Sequence, residues 1–304
     1  MVTLYKLKHL FMQNSIPQSK KPIAIFLLLT FALSSIFYFL IIHTGKLGSG
    51  FGLYVTGIMW CPGISAILTS IILKRKIALL GWQWGKTGYQ FWSYLIPLCY
   101  ALVAYLITWL VGWGKFYNEE FVKQVATSFG FDKLPELVTI ILYFILMGLF
   151  GLPGSISTAL GEEIGWRGFF VPELFKHTSY TKTALISGIV WALWYYPILI
   201  FADYNSGTPT WYGLSCFTIM VVSISFIFAW FRLKSKSLWT GVLLHASHNL
   251  FIQSIFTPLT KDTGNTKYFI DEFGAVLPVV CLLVAIFFWT KRKELYDNSP
   301  AASI

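Results

Sequence analysis

Two adjacent carboxylates, Glu162 and Glu163, close a long apolar run in the stretch Gly161-Glu162-Glu163-Ile164-Gly165-Trp166-Arg167-Gly168. An ionised group near the centre of a membrane helix costs about 2.5–3.5 kcal/mol on insertion scales, so acids in that setting point to function. On a helix, Glu163 and Arg167 share a face at i,i+4 with the acid N-terminal to the base, the better orientation for an ion pair. Glu162 projects about 100° away around the same helix and stays free for other work. One carboxylate tied to Arg and one available is what a water-activating site requires. A purely structural ion pair at a helix end would use the same residues.

A second polar patch lies in Gly241-Val242-Leu243-Leu244-His245-Ala246-Ser247-His248-Asn249. Of the five histidines, His245 and His248 form the only pair well inside an apolar run. Spaced by three and four, His245, His248 and Asn249 can line one helix face. Lipid cannot satisfy them, so that face must turn into a bundle or a wet cavity. Hydrogen bonding between helices, worth about 1 kcal/mol per contact, is the alternative use. A third stretch, Trp191 to Pro197, holds Trp194, Tyr195 and Tyr196, and by itself reads as belt or packing residues.

The elements that must hold these groups are membrane helices. The chain has 304 residues, 56% of them hydrophobic, 18% aromatic and 12% charged, with a mean hydropathy of +0.65. Soluble domains carry about 25% charge. The formal charge of +10 is not gathered into a nucleic-acid-binding stripe; the basic residues recur as short clusters between apolar runs. Eight spans are expected, at roughly 22–43, 51–73, 91–112, 136–160, 183–202, 211–231, 237–258 and 270–290. With both termini cytoplasmic, 17 of the 23 Lys and Arg fall on the cytoplasmic side and 6 on the other, as the positive-inside rule demands. The segment 114–135, with Tyr117, Phe121, Val122, Val125 and Phe129 at helical spacing, predicts an amphipathic helix lying on the surface. Pro153-Gly154 predicts a kink ahead of the acids. Cys61, Cys99, Cys216 and Cys281 stand singly in apolar runs and read as small buried hydrophobes. The expected organisation is a cytoplasmic segment 1–21, one transmembrane domain 22–290 with its core at about 136–258, and a cytoplasmic tail 291–304.

Taken in order, the three stretches resemble the CAAX-protease and bacteriocin-processing (Abi) family of intramembrane proteases, which includes the Ras-converting CAAX endopeptidase. The EExxxR motif is matched by Glu162, Glu163 and Arg167, and HxxxN by His245 and Asn249. In the intervening FxxxH motif, Trp191 and Tyr195 replace Phe and His. The resemblance implies an all-α polytopic bundle and an endopeptidase cutting near the cytoplasmic membrane face. It casts Glu162 as the water-activating base, His245 and Asn249 as the oxyanion-side groups, and Glu163 with Arg167 as a brace. Tyr195 is the departure, because a phenol with a pKa near 10 donates a hydrogen bond but cannot stand in for imidazole as a base. Three outcomes stay open: Glu162 suffices, His248 substitutes, or the chain is a disabled relative.

The HExxH zinc pattern is absent, and glutamate-activated water needs no metal; a zinc site, if any, would draw on Glu162, His245 and His248. The implied partners are a peptide or protein substrate, prenylated or membrane-associated in the family's manner, and the lipid bilayer, with no nucleic acid. A bacterial host would place the chain in the plasma membrane. Two other classes remain: a non-catalytic binding or bacteriocin-immunity protein, and a proton-coupled transporter, against which the lack of repeated halves counts.

Overall fold

The computed structural model describes residues 19–45, 52–202 and 204–296. Most of the expected segment 1–21, and residues 297–304 of the expected tail, lie outside the described residues. The fold is an all-α polytopic bundle. Six helices among the described residues are long and apolar enough to cross a membrane: α1 Lys21–Thr44, α2 Leu53–Ile72, α3 Thr87–Val111, the composite helix Glu136–Phe175, Tyr180–Phe201 and Thr210–Ser235. A surface helix, α4 Glu119–Phe129, precedes the composite one. Asn118 caps it by accepting from the Glu120 and Phe121 amides, and Val122 and Val125 face inward, so the expected amphipathic segment is present.

The composite helix consists of α5 Glu136–Leu146, wide π turns Met147–Gly151, α6 Leu152–Glu163, π turns Ile164–Phe170 and α7 Val171–Phe175. The first wide stretch explains how Pro153 is carried. A proline ring clashes with the carbonyl four residues earlier, here Leu149, and that residue lies within the π turns. Helices α8 Tyr180–Phe201 and α9 Thr210–Ser235 follow. The expected seventh element is α10 Trp239–Asn249, continued by π turns Leu250–Phe256 and α11 Thr257–Leu259. It is buried from Thr240 to His248, as a helix carrying two histidines must be. The eighth, α12 Val276–Thr290, has 15 residues, short of the roughly 20 a straight span needs.

Consecutive helices alternate in direction, so alternate loops meet. At one end Arg75 pairs with Glu173 at 3.0 Å, Gln83 donates to the Lys236 carbonyl at 2.7 Å, and Lys234 donates to the Glu294 carbonyl at 2.6 Å. At the other, β1 Lys115–Phe116 pairs antiparallel with β2 Thr260–Lys261, and Ser206 donates to Asp271 at 2.8 Å.

The carboxylates are set by close packing of α6 on α2. A methyl group on Gly161 would sit 2.8 Å from the Met59 carbonyl oxygen, one on Gly165 2.4 Å from Pro62 Cβ, and one on Gly63 2.6 Å from the Gly161 carbonyl oxygen. Gly161-xxx-Gly165 is therefore a small-residue seam through which two membrane helices touch backbone to backbone. The seam fixes the rotation of α6 and turns Glu162 and Glu163 away from lipid. Cys61, Cys216 and Cys281 are buried as expected, whereas Cys99 is exposed on α3; lipid is as apolar as a core, so hydropathy does not separate the two.

Candidate functional site

Glu162 and Glu163 are both fully buried and face different partners. Glu162 Oε1 accepts the Tyr195 hydroxyl at 2.6 Å, and Oε2 accepts the Trp191 indole N–H at 2.8 Å. Trp191 and Tyr195 are one helical turn apart on α8, so the two aromatic residues in the FxxxH positions become a paired donor for one carboxylate. Glu163 Oε1 takes Arg167 Nη1 at 2.7 Å and lies 3.0 Å from His245 Nδ1. The Arg167 guanidinium carbon is 4.0 Å from the Trp191 ring centroid and 4.2 Å from that of Phe228, a planar cation packed against two adjacent aromatic rings. The Arg167 carbonyl, within the second π stretch, accepts Arg232 Nε at 2.7 Å. Wide turns often mark functional sites, and here two π stretches begin directly after Glu163 and after Asn249.

Glu163 Oε2 is buried without a hydrogen-bond partner among the described residues. It packs on Gly241, where a methyl group would stand 2.7 Å from that oxygen. Glycine is thus needed at 241 for close approach to the carboxylate.

His245 and Asn249 line a cavity of about 310 Å³ together with Trp191, Tyr195, Tyr204 and Glu272. Glu162 is not in that lining; Trp191 and Tyr195 stand between it and the cavity. The His245 contact fixes a tautomer. An ionised Glu163 only accepts, so Nδ1 carries the proton, and Nε2 carries one as well only in the imidazolium. No described residue hydrogen-bonds the Asn249 side chain, which is half-buried at the cavity wall. Five expected residues therefore meet in one network, Glu162 with Tyr195 and Glu163 with Arg167 and His245, and Asn249 joins them across the cavity.

His248 lines the same cavity but bonds other partners. Its Nδ1 lies 2.6 Å from the Tyr100 hydroxyl and its Nε2 3.0 Å from Glu272 Oε1, which also accepts Gln253 Nε2 at 3.1 Å. Both ring nitrogens have partners in this arrangement. The same geometry breaks up the expected metal set of Glu162, His245 and His248. Each donates or accepts within a different pair, and among the described residues no group of three or more His, Cys, Asp and Glu converges on a metal position.

Tyr100, Gln253 and Glu272 carry no signal in the sequence pattern. Glu272 lies in the loop before α12, where no helical periodicity points to it. Beside it, Asp271 is pushed up to about 6, first by burial and then by the Glu272 carboxylate.

Residues 138–251 match the family described as type II CAAX prenyl endopeptidase Rce1-like. A protein of Methanococcus maripaludis named CAAX prenyl protease 2 is 28% identical over 170 residues, which is 54% of this chain and 55% of that protein. The chain thus spans about half the length of the curated relative it matches. The family match contains Glu162, Tyr195, His245 and Asn249 and ends before Gln253 and Glu272.

Proposed function

Since residues 138–251 place the chain in the CAAX protease family, we propose that it is an intramembrane endopeptidase in which Glu162 activates water. The observation that carries this reading is a buried carboxylate, held by Trp191 and Tyr195, beside a cavity into which His245 and Asn249 project. Each Glu162 oxygen accepts a single donor among the described residues and keeps a lone pair for a water proton. The Asn249 amide and His245 Nε2–H, present on the imidazolium that Glu163 faces, would donate to the oxyanion formed at the scissile carbonyl. Such donors usually make the largest single contribution to acyl-transfer catalysis. Glu163 and Arg167 brace that imidazole. Tyr195 orients Glu162 and takes no proton. The proposed domain is the whole membrane bundle, with the family core at about 136–258.

A second reading has one specific support. Glu162 is capped on both oxygens and lies outside the cavity lining, whereas neutral His245 would present an Nε2 lone pair to the cavity, held by Glu163 as in an acid-oriented histidine base. Turnover of a quenched-fluorescence library by purified protein tests the enzymatic reading. It has two arms, unmodified peptides and prenylated tails, the second being the substrate class in the relative's name. Cleavage in either arm is expected, and Tyr195→His should retain it or raise it. Cleavage in neither arm by parent and Tyr195→His, with partner binding retained, would favour the binding-protein alternative.

Where cleavage occurs follows from the fold joined to charge. The cavity draws on Tyr204 and Glu272, from the end that holds 204–210 and 260–275. That end is opposite residues 74–86 and 291–296, the basic side of the charge count. With the termini cytoplasmic, we propose that the cavity is reached from the non-cytoplasmic side, as an alternative to the expected cut near the cytoplasmic face. In a cysteine-free background, an impermeant thiol reagent added outside cells should label Ser206→Cys and spare Lys291→Cys. The reverse pattern would restore cytoplasmic-side cleavage.

A further inference from the structure

Glu272 is the carboxylate that lines the cavity, and no Lys or Arg among the described residues pairs with it. Its Oε1 accepts from His248 and Gln253, while no described residue donates to Oε2. The Tyr100 hydroxyl has one partner among the described residues, His248 Nδ1. A buried hydroxyl without an acceptor is costly, so Tyr100 donates to Nδ1 and His248 donates through Nε2 to Glu272. That chain runs through a neutral imidazole and leaves the Glu272 charge uncancelled. No Lys or Arg is among the residues lining the cavity, although the whole chain has a formal charge of +10. Arg167, close to Glu162 and Glu163 in sequence, is committed to Glu163, and Lys267, close to Glu272, donates to the Gly207 carbonyl. The same wall is aromatic: the Tyr195 and Tyr204 rings stack at 6.5 Å, and Tyr204 meets Phe273 edge-on at 5.2 Å. A desolvated carboxylate beside aromatic faces is a site for an organic cation.

We propose that Glu272 is a specificity-determining residue that selects a substrate peptide carrying a basic side chain, whose cation pairs with Glu272 Oε2 against the Tyr204 wall. The proposal rests on the endopeptidase reading and adds the charge of the peptide that the site takes. Tyr100, His248 and Gln253 are positioning residues: His248 and Gln253 donate to Oε1, Tyr100 holds His248, and Oε2 is left without a donor among the described residues.

Paired peptides differing only in Lys or its uncharged analogue norleucine, scanned across positions flanking the scissile bond, provide the test. The parent should favour Lys at one position by roughly tenfold or more in kcat/KM, the scale of a charge-assisted hydrogen bond. Glu272→Gln, which keeps an acceptor for His248, should collapse that ratio mainly through KM. An unchanged ratio in Glu272→Gln overturns the proposal and leaves Glu272 as a brace for His248. If the parent cleaves no peptide, the endopeptidase reading fails separately. The same pairs, fluorescently labelled and titrated onto full-length protein in nanodiscs, then decide: Lys-selective binding that Glu272→Gln loses supports the cation site, and equal binding of both peptides overturns it. A measurement on the parent alone guards against a misfolded variant. n-Butylammonium should displace the labelled peptide at roughly tenfold lower concentration than n-butanol, and equal potency would sink the idea.

Discussion

Glu162→Gln is expected to lower kcat/KM for peptide cleavage by about 10²–10⁴-fold, the range for losing a positioned general base. The substitution keeps volume and one acceptor. It turns the other oxygen into a donor that faces either the Trp191 indole or the Tyr195 hydroxyl. Tyr195 can rotate its hydroxyl to accept, so the local packing can be kept while the base is removed. Peptide turnover measured alongside thermal unfolding separates the two effects. A folded variant that loses less than about tenfold would transfer the role of base to His245. In that case His245→Gln should show the larger loss, and its pH profile should lose the limb set by the imidazole.

The parts of this site that are legible in the sequence share a cause: they lie within single helices, where spacing alone decides neighbours. Glu163 and Arg167 pair because four residues bring them to one face. His245 and Asn249 share the cavity because they too are four apart. The pairing of Glu162 with Trp191 and Tyr195 depends on which helices touch, and composition is silent on that. The resemblance treats Tyr195 as a loss, whereas the structure gives it a partner. The seam that turns both acids inward is written as Gly161-xxx-Gly165, hidden because the same residues flank the acids. The π turns have no visible signal beyond Pro153, and Glu272 has none, since a loop residue reaching back into a bundle leaves no period. The seventh and eighth helices show the limit of hydropathy: one is polar because it carries the site, the other short because residues 270–275 form turns ahead of it.

Arg167→Met is expected to destabilise the folded protein by about 3–5 kcal/mol, the cost of breaking a buried pair by removing one partner. Glu163 is fully buried, and its Oε2 already lacks a donor among the described residues. Without Arg167 its remaining polar contact is His245. Arg167→Lys should recover only part, because an ammonium lacks the plane that packs against Trp191 and Phe228. Equilibrium unfolding in mixed detergent micelles gives the comparison, and Glu163→Gln with Arg167→Met supplies the decisive variant. If the charge left behind causes the loss, the double variant should be more stable than Arg167→Met alone, since buried ion pairs replaced on both sides are often neutral. If the two losses simply add, Arg167 supports the fold through ring packing and its carbonyl contact with Arg232. The brace would then act through shape, and the catalytic reading would need His245 to be held by Glu163 alone. Turnover of the double variant decides this as well. Activity retained when His245 faces the neutral amide introduced by Glu163→Gln would exclude a required imidazolium.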